Sequence, residues 1–201
     1  MPRNQYLNND VERWIKKDGI VFLKRIGVKE SFVLVDFGCN VGHYTIPAAK
    51  IVGENGTVYA LDQDESVLSK LMKTALAENL KNIVPVKTSK NLKINLKTAS
   101  VDVVLLYDIL HYFSQEERMS LYKEVYRILK IDGLLSVYPK HNSSDEPLWN
   151  LSKLGIDEIA KEIETAGLCF RKKCDRELIH DDYYTNGIII NFKKTEGKNC
   201  E

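Results

Sequence analysis

Short apolar runs alternate with amphipathic segments along most of the chain. Residues 32–37, 57–62, 82–87, 101–107 and 134–138 are the runs, and each has the length and apolar content of a buried parallel strand. Helical spacing fills the intervals. Residues 44–52 predict a helix with Pro47 in its first turn, where the missing N–H costs nothing. Asp64 is placed as the N-cap of a helix over 65–77. Ser114 followed by Glu117 fits a capping box, opening a helix with Met119, Leu121, Tyr122, Val125 and Leu129 on one face and with Asp132 and Gly133 closing the connection. A further helix over 157–166 has Gly167 just past its end. Two closing strands, 168–173 and 187–193, have no helix-length pattern between them and read as an antiparallel pair, with 176–186 as a loop or hairpin extension. Residues 89–99 read as a loop with a short helix, and 9–26 as one or two leading helices broken near Gly19.

Strands alternating with helices predict an α/β, doubly wound, mainly parallel seven-stranded sheet of Rossmann-like type, with an antiparallel edge strand and an N-terminal helical extension over 1–30. The expected organisation is one domain over 1–194 and a flexible tail over 195–201. The 201 residues suit one α/β domain, and a 44% hydrophobic share supports a single core. Lys and Arg number 29 against 28 Asp and Glu, so net charge does not point to nucleic acid or a membrane surface. No apolar run reaches membrane-spanning length, and Met1 to Asn8 lacks the apolar core of a secretory signal; the expected location is cytoplasmic. Cys39, Cys169, Cys174 and Cys200 have no metal-ligand spacing and read as reduced thiols, so no metal site is expected.

In open parallel sheets, ligands bind beyond the carboxyl ends of the strands, usually at the first strand-to-helix turn. Gly38 and Gly42 sit there, with Asn40 between them, a residue that tolerates left-handed backbone. Asp36 lies two positions before Gly38, and Asp62 ends the second strand, where a carboxylate can accept hydrogen bonds from a ribose diol. The dinucleotide fingerprint would need glycine at Asn40 and His43, and an acid at Asp36 would repel a pyrophosphate. A nucleoside ligand with a cationic end, an ammonium or a sulfonium, fits the same residues. No phosphate-binding loop of the Walker type is present.

The run from Val33 to Gly42 resembles the first motif of class I S-adenosylmethionine-dependent methyltransferases, with Asn40 where the family usually has glycine. Val58 to Asp62 resembles the second motif, Val101 to His111 the fourth strand and its following segment, and Leu129 to Leu135 the turn before the fifth strand, with Ile131 and Asp132 in place of proline and glycine. The resemblance implies S-adenosylmethionine as cofactor and S-adenosylhomocysteine as product. It implies that Asp36 holds the methionine ammonium, that Gly38, Cys39, Asn40 and Gly42 form the loop against the cofactor, that Asp62 binds the ribose and that Gln63 flanks the adenine. The acid that the family often has after the third strand is absent, which leaves Thr88 or Ser89 to supply a hydroxyl. Tyr107 and Asp108 would line the methionine end.

Methyl transfer from a sulfonium needs a base only when the acceptor must lose a proton. His111 is the candidate base, with Tyr112, His141 and the segment from His180 to Tyr184 as further residues that could face a pocket. The expected reaction is in-line methyl transfer to a small-molecule acceptor. Alternatives are an RNA or protein methyltransferase, for which Lys87, Lys90, Lys93 and Lys97 would supply a basic surface, and a non-catalytic S-adenosylmethionine-binding module. The oligomeric state is not legible.

Overall fold

The computed structural model describes residues 4–89 and 92–197, with side chains from residue 9 onward. Lys90, Cys200 and most of the expected tail therefore lie outside the described residues. The elements run α1 (Asn4–Arg13), α2 (Gly19–Ile26), β1 (Val33–Phe37), α3 (Thr45–Val52), β2 (Thr57–Asp62), α4 (Glu65–Ala77), β3 (Ile83–Lys87), β4 (Val101–Tyr107), α5 (Gln115–Ile128), β5 (Leu129–Tyr138), α6 (Ile156–Thr165), β6 (Cys169–His180) and β7 (Tyr183–Lys193). The seven strands form one sheet in the order β3-β2-β1-β4-β5-β7-β6. Strand β1 pairs parallel with β2, β2 with β3 and β4 with β5, while β7 pairs antiparallel with β5. The Rossmann-like sheet read from the alternation is thus present. No helix among the described residues is long and apolar enough to cross a membrane.

The residues group into two compact units. The first comprises the chain up to Lys87 together with Arg176–Gly187. Leu34, Val35, Val58, Ala60, Ile46 and Leu71 are fully or almost fully enclosed in it. Helices α1 and α2 are joined by a π-helical turn, Trp14–Asp18. The wider turn accommodates the indole of Trp14, which lies so close to Gly19 that a Cβ there would sit 2.8 Å from Nε1. The break anticipated near Gly19 is thus only this π-helical turn, and the chain stays helical from Asn4 to Ile26. Helix α2 stops at Gly27, whose φ of 115° lets its N–H return to Leu23 and Lys24 carbonyls. The hairpin tip belongs to this unit as well. Asp181 and Asp182 make the two-residue turn between β6 and β7, Tyr44 Oη donates to Ile179 O (2.9 Å), and Tyr184 Oη donates to Asp18 (2.9 Å). The segment anticipated as a loop or hairpin extension is therefore a hairpin.

The second unit comprises Thr88–Asp175 and the chain from Ile188 onward. Strand β4 is buried over nearly its whole length, as its continuous apolar run requires. Helix α5 carries the expected capping box, Ser114 with Glu117, and buries Leu121, Tyr122, Val125 and Ile128. No helix forms among the described residues of 89–99, contrary to the sequence reading. Leu92 and Ile94 are buried there, and Ile94 N and two backbone carbonyls bond to Glu124 and Arg127 of α5 instead. Cys39 and Cys174 are free thiols, whereas Cys169 is disulfide-bonded, which corrects the expectation that every cysteine is reduced.

Arg118 locks α5 to α6. Its guanidinium is 2% exposed and bonds Glu162 through Nε (2.9 Å) and Nη2 (2.7 Å), with Nη1 donating to Phe113 O. Arg118→Ala would strand the Glu162 carboxylate in a largely enclosed site, with an expected loss of about 3–5 kcal/mol. Urea unfolding of the variant checks this, and a loss under about 1 kcal/mol would contradict it.

Candidate cofactor site

Strand β1 delivers Asp36 at its carboxyl end, 2% exposed. Thr45 Oγ1, on the first residue of α3, donates to Asp36 Oδ2 at 2.5 Å. Burial is the main force on this carboxyl and pushes its pKa up to about 6; the Thr45 bond opposes the shift and the nearby Asp62 charge adds to it. An enclosed carboxylate with one hydroxyl partner is a poor arrangement by itself and a good one for a cation.

The loop after β1 turns on three left-handed residues, Gly38 (φ 78°), Asn40 (φ 46°) and Gly42 (φ 95°). Gly38 N and Cys39 N both donate to Leu61 O, at 2.8 and 3.0 Å, and Gly42 N donates to Cys39 O. Asn40 occupies the position that is usually glycine in the resembled motif. Its conformation explains why: asparagine is one of the few side chains that enters the left-handed region at small cost.

Asp62 closes the second side of the loop. Its Oδ2 accepts from Asn40 N (2.9 Å) and its Oδ1 from Asp64 N (3.0 Å). Each oxygen keeps a lone pair, so the half-buried carboxylate is oriented by the backbone and can still accept from a diol. Gln63 beside it is exposed. Cys39 is buried, and its thiol is pushed well above the usual range, first by burial and then by the charges of Asp36 and Asp62. It is therefore no nucleophile at neutral pH.

Two contacts brace the far end of this loop. Trp14 Nε1 donates to His43 O (3.0 Å), and the indole packs edge-on against Tyr44. His43 is pushed down by burial, with the Asp182 and Asp181 charges partly offsetting, and its Nε2 lies 3.8 Å from Asp182.

The second unit holds the other predicted residues. Thr88 is half-buried and Ser89 exposed directly after β3. Tyr107 is buried, with its hydroxyl on Ser136 Oγ (2.7 Å). Asp108 adopts φ 53° just past β4, and its Oδ1 lies 3.5 Å from His111 Nδ1 and 3.6 Å from His141 Nε2. His111 is 2% exposed and packs against Tyr112, Trp149 and His141. Two aromatic side chains in this group are open, Tyr112 at 54% and Trp149 at 57% exposure.

Other candidates find structural places. His180 Nδ1 meets Tyr183 Oη at 3.2 Å in the hairpin, and Tyr122 is enclosed in the core. Tyr126 carries the Lys194 ammonium over its ring. Lys87 of the supposed basic surface is paired with Glu65 at 3.0 Å. Thr45, Trp14 and Trp149 escaped the sequence reading; the first is nine residues from Asp36 and carries no periodic signal that would link them.

Residues 34–133 match the family described as a methyltransferase domain. Among curated proteins, demethylmenaquinone methyltransferase of Lactobacillus johnsonii is 28% identical over 74% of this chain and 57% of its own length. Sterol 24-C-methyltransferase of Aspergillus fumigatus is 26% identical over 79% of this chain and 43% of its own. The chain thus spans about half the length of these relatives. Among solved structures, a SAM-dependent methyltransferase from Aquifex aeolicus superposes with a TM-score of 0.72 at 25% identity, over 91% of this chain and 93% of that one.

Proposed function

The chain belongs to the class I S-adenosylmethionine-dependent methyltransferases, and on that premise we propose that it transfers a methyl group to a small-molecule acceptor, with residues 1–194 acting as one functional domain. The observation that carries the cofactor assignment is the enclosed carboxylate of Asp36, raised to about 6 and facing a loop oriented by Asp62. S-adenosylmethionine supplies, when bound, an electrophilic methyl on a sulfonium that is also the leaving group. Asp36 holds the ammonium of the methionine part. Asp62 accepts from the ribose hydroxyls with the lone pairs that Asn40 N and Asp64 N leave. The left-handed turn at Gly38, Asn40 and Gly42 keeps side chains out of the cofactor's way. Gln63 at the rim and the Thr88 and Ser89 hydroxyls are the proposed adenine-side groups, and Tyr107 and Asp108 belong to the methionine end.

A small acceptor is favoured by the charge balance of +1 and by relatives whose names specify a demethylmenaquinone and a sterol. A base is required only for an acceptor that must lose a proton, and His111 is the proposed residue in that case. Titration calorimetry with S-adenosylmethionine and S-adenosylhomocysteine tests the assignment. Both ligands are expected to bind. Asp62→Ala should weaken both by about 10-fold or more, the value of one or two charge-assisted hydrogen bonds. Unchanged affinity would remove the ribose role.

A further inference from the structure

Asp18, Val21, Phe22 and Arg25 follow one another at the spacing that puts side chains on a single helical face. The face begins in the π-helical turn and runs along α2. A π turn widens the helix by one residue and weakens its hydrogen bonding, and such turns are frequent at functional sites. In this one Trp14 is buried at the start, while Asp18 at the end stays half-buried.

This face borders a cavity of about 290 Å³. Arg13 and Trp14 continue its helical wall, and Arg176, Glu177 and Tyr184 of the hairpin form the other. All of these residues belong to the first unit. The volume is at the low end for small-molecule pockets, so it suits a compact ligand and no chain segment. Trp14 keeps the cavity from collapsing. Its ring is held by those of Phe22 (5.7 Å) and Tyr184 (6.0 Å), and its Nε1 by the bond to His43 O.

The wall combines two chemistries. Val21 and Phe22 supply apolar surface, and three guanidinium groups stand against two carboxylates, Asp18 and Glu177. One of those carboxylates is already engaged. Asp18 Oδ2 lies 2.7 Å from Arg13 Nε and accepts from Tyr184 Oη at 2.9 Å. The Arg13 guanidinium also sits over the Tyr184 ring, 5.4 Å from its centroid. Arg13 is thus fixed at the wall, and one oxygen shared with a hydroxyl cannot take its five N–H donors. An excess of forked donors beside apolar surface is complementary to an oxyanion on an apolar body.

We infer that this cavity binds a small organic carboxylate, its apolar body against Val21 and Phe22 and its charge met by Arg25 and Arg176. None of the residues proposed to hold S-adenosylmethionine lines it, so it is a second ligand site and stands independently of the methyltransferase reading. Both parts of the ligand are required. Inorganic phosphate would meet the arginines and leave the apolar surface uncovered, and a neutral amide would do the reverse.

Equilibrium dialysis of the full chain with phenylacetate tests the site, with phenylacetamide and inorganic phosphate as the comparison probes. The wild-type protein should take up phenylacetate saturably and each comparison probe at least about 10-fold more weakly, the scale of one charge-assisted hydrogen bond or one covered apolar group. Arg25→Gln should weaken phenylacetate uptake by about 10-fold or more, and Val21→Ser by about 3-fold. Both side chains are exposed, so the fold should survive, and thermal melts of the two variants verify that it does. Lys24→Gln removes an exposed charge next to Arg25 that does not line the cavity, and should leave uptake unchanged. Uptake should also persist in saturating S-adenosylhomocysteine. No saturable uptake, equal uptake of either comparison probe, unchanged uptake in Arg25→Gln, or an equal loss in Lys24→Gln would overturn the site. Displacement of phenylacetate by S-adenosylhomocysteine would overturn it as well, because binding would then belong to the cofactor pocket.

Discussion

Asp36→Asn is expected to make the ligand-free protein more stable at neutral pH and to weaken S-adenosylmethionine binding by about 100-fold or more. Both effects have one cause. The folded-state pKa of Asp36 is raised from 3.8 to about 6 by burial, so the folded protein binds the proton more tightly than the unfolded chain does. Stability therefore falls as pH rises from about 4 to about 6, and the full penalty, about 3 kcal/mol, is present at pH 7. Asparagine removes the charge and keeps an oxygen for the Thr45 hydroxyl, but it adds an amide N–H₂ that needs partners. The expected net gain is about 1–3 kcal/mol in denaturant unfolding at neutral pH. The same substitution leaves the ligand's ammonium without its counter-charge. A variant that is less stable and binds as well as wild type would contradict this account of the site.

Gly42→Ala should act in the opposite sense on stability. A Cβ at Gly42 would lie 2.2 Å from Cδ1 of Leu71, a wholly buried residue of α4, and the φ of 95° is strained for any side chain. Overpacking and backbone strain together imply a loss of about 2–5 kcal/mol. The displaced turn also carries Asn40 N, one of the two donors that aim Asp62, so cofactor affinity should fall too. Gly53→Ala is the control. It has a φ of 67° but meets nothing closer than 3.9 Å, so it should lose only about 1–2 kcal/mol with binding intact. Equal losses in the two variants would mean that the Leu71 contact is not what requires glycine at 42.

The turn after β1 proposed to hold the cofactor was legible in the sequence because its constraints are local. Asp36, Gly38, Asn40, Gly42 and Asp62 belong to one strand, one turn and the next strand end, and their spacing alone indicates a nucleoside ligand with a cationic end. The apolar runs likewise revealed the strands, and Ser114 with Glu117 marked the start of α5, since capping is a matter of neighbouring residues. What escaped depends on contacts between residues that no sequence pattern links. The Thr45 bond that anchors Asp36, the Trp14 bond to His43 O across 29 residues and the Arg118–Glu162 lock across 44 leave no periodic trace. The absent helix in 89–99 has the same origin, because the backbone groups of that segment are met by Glu124 and Arg127. The strain at Trp149 is likewise imposed by the packed segment around it, and no composition rule predicts an exposed tryptophan in a left-handed conformation.

Asn40 illustrates how the two levels combine. As a letter it departs from the glycine of the resembled motif. As a backbone it adopts φ 46° and gives its N–H to Asp62, so the departure preserves the turn. The reduced state expected of Cys169 went the other way, because a disulfide cannot be read from isolated cysteines without a spacing pattern.

The most direct measurement is the pH dependence of S-adenosylmethionine binding by calorimetry, run in two buffers of different ionisation enthalpy. If the Asp36 carboxylate meets the ammonium, binding must expel the proton that Asp36 carries below about 6. Affinity should rise as pH increases through about 6 and then level off, with close to one proton released per ligand at the lower pH and almost none at neutrality. Affinity that is flat across that range, with no proton released, would contradict the placement of the cation at Asp36.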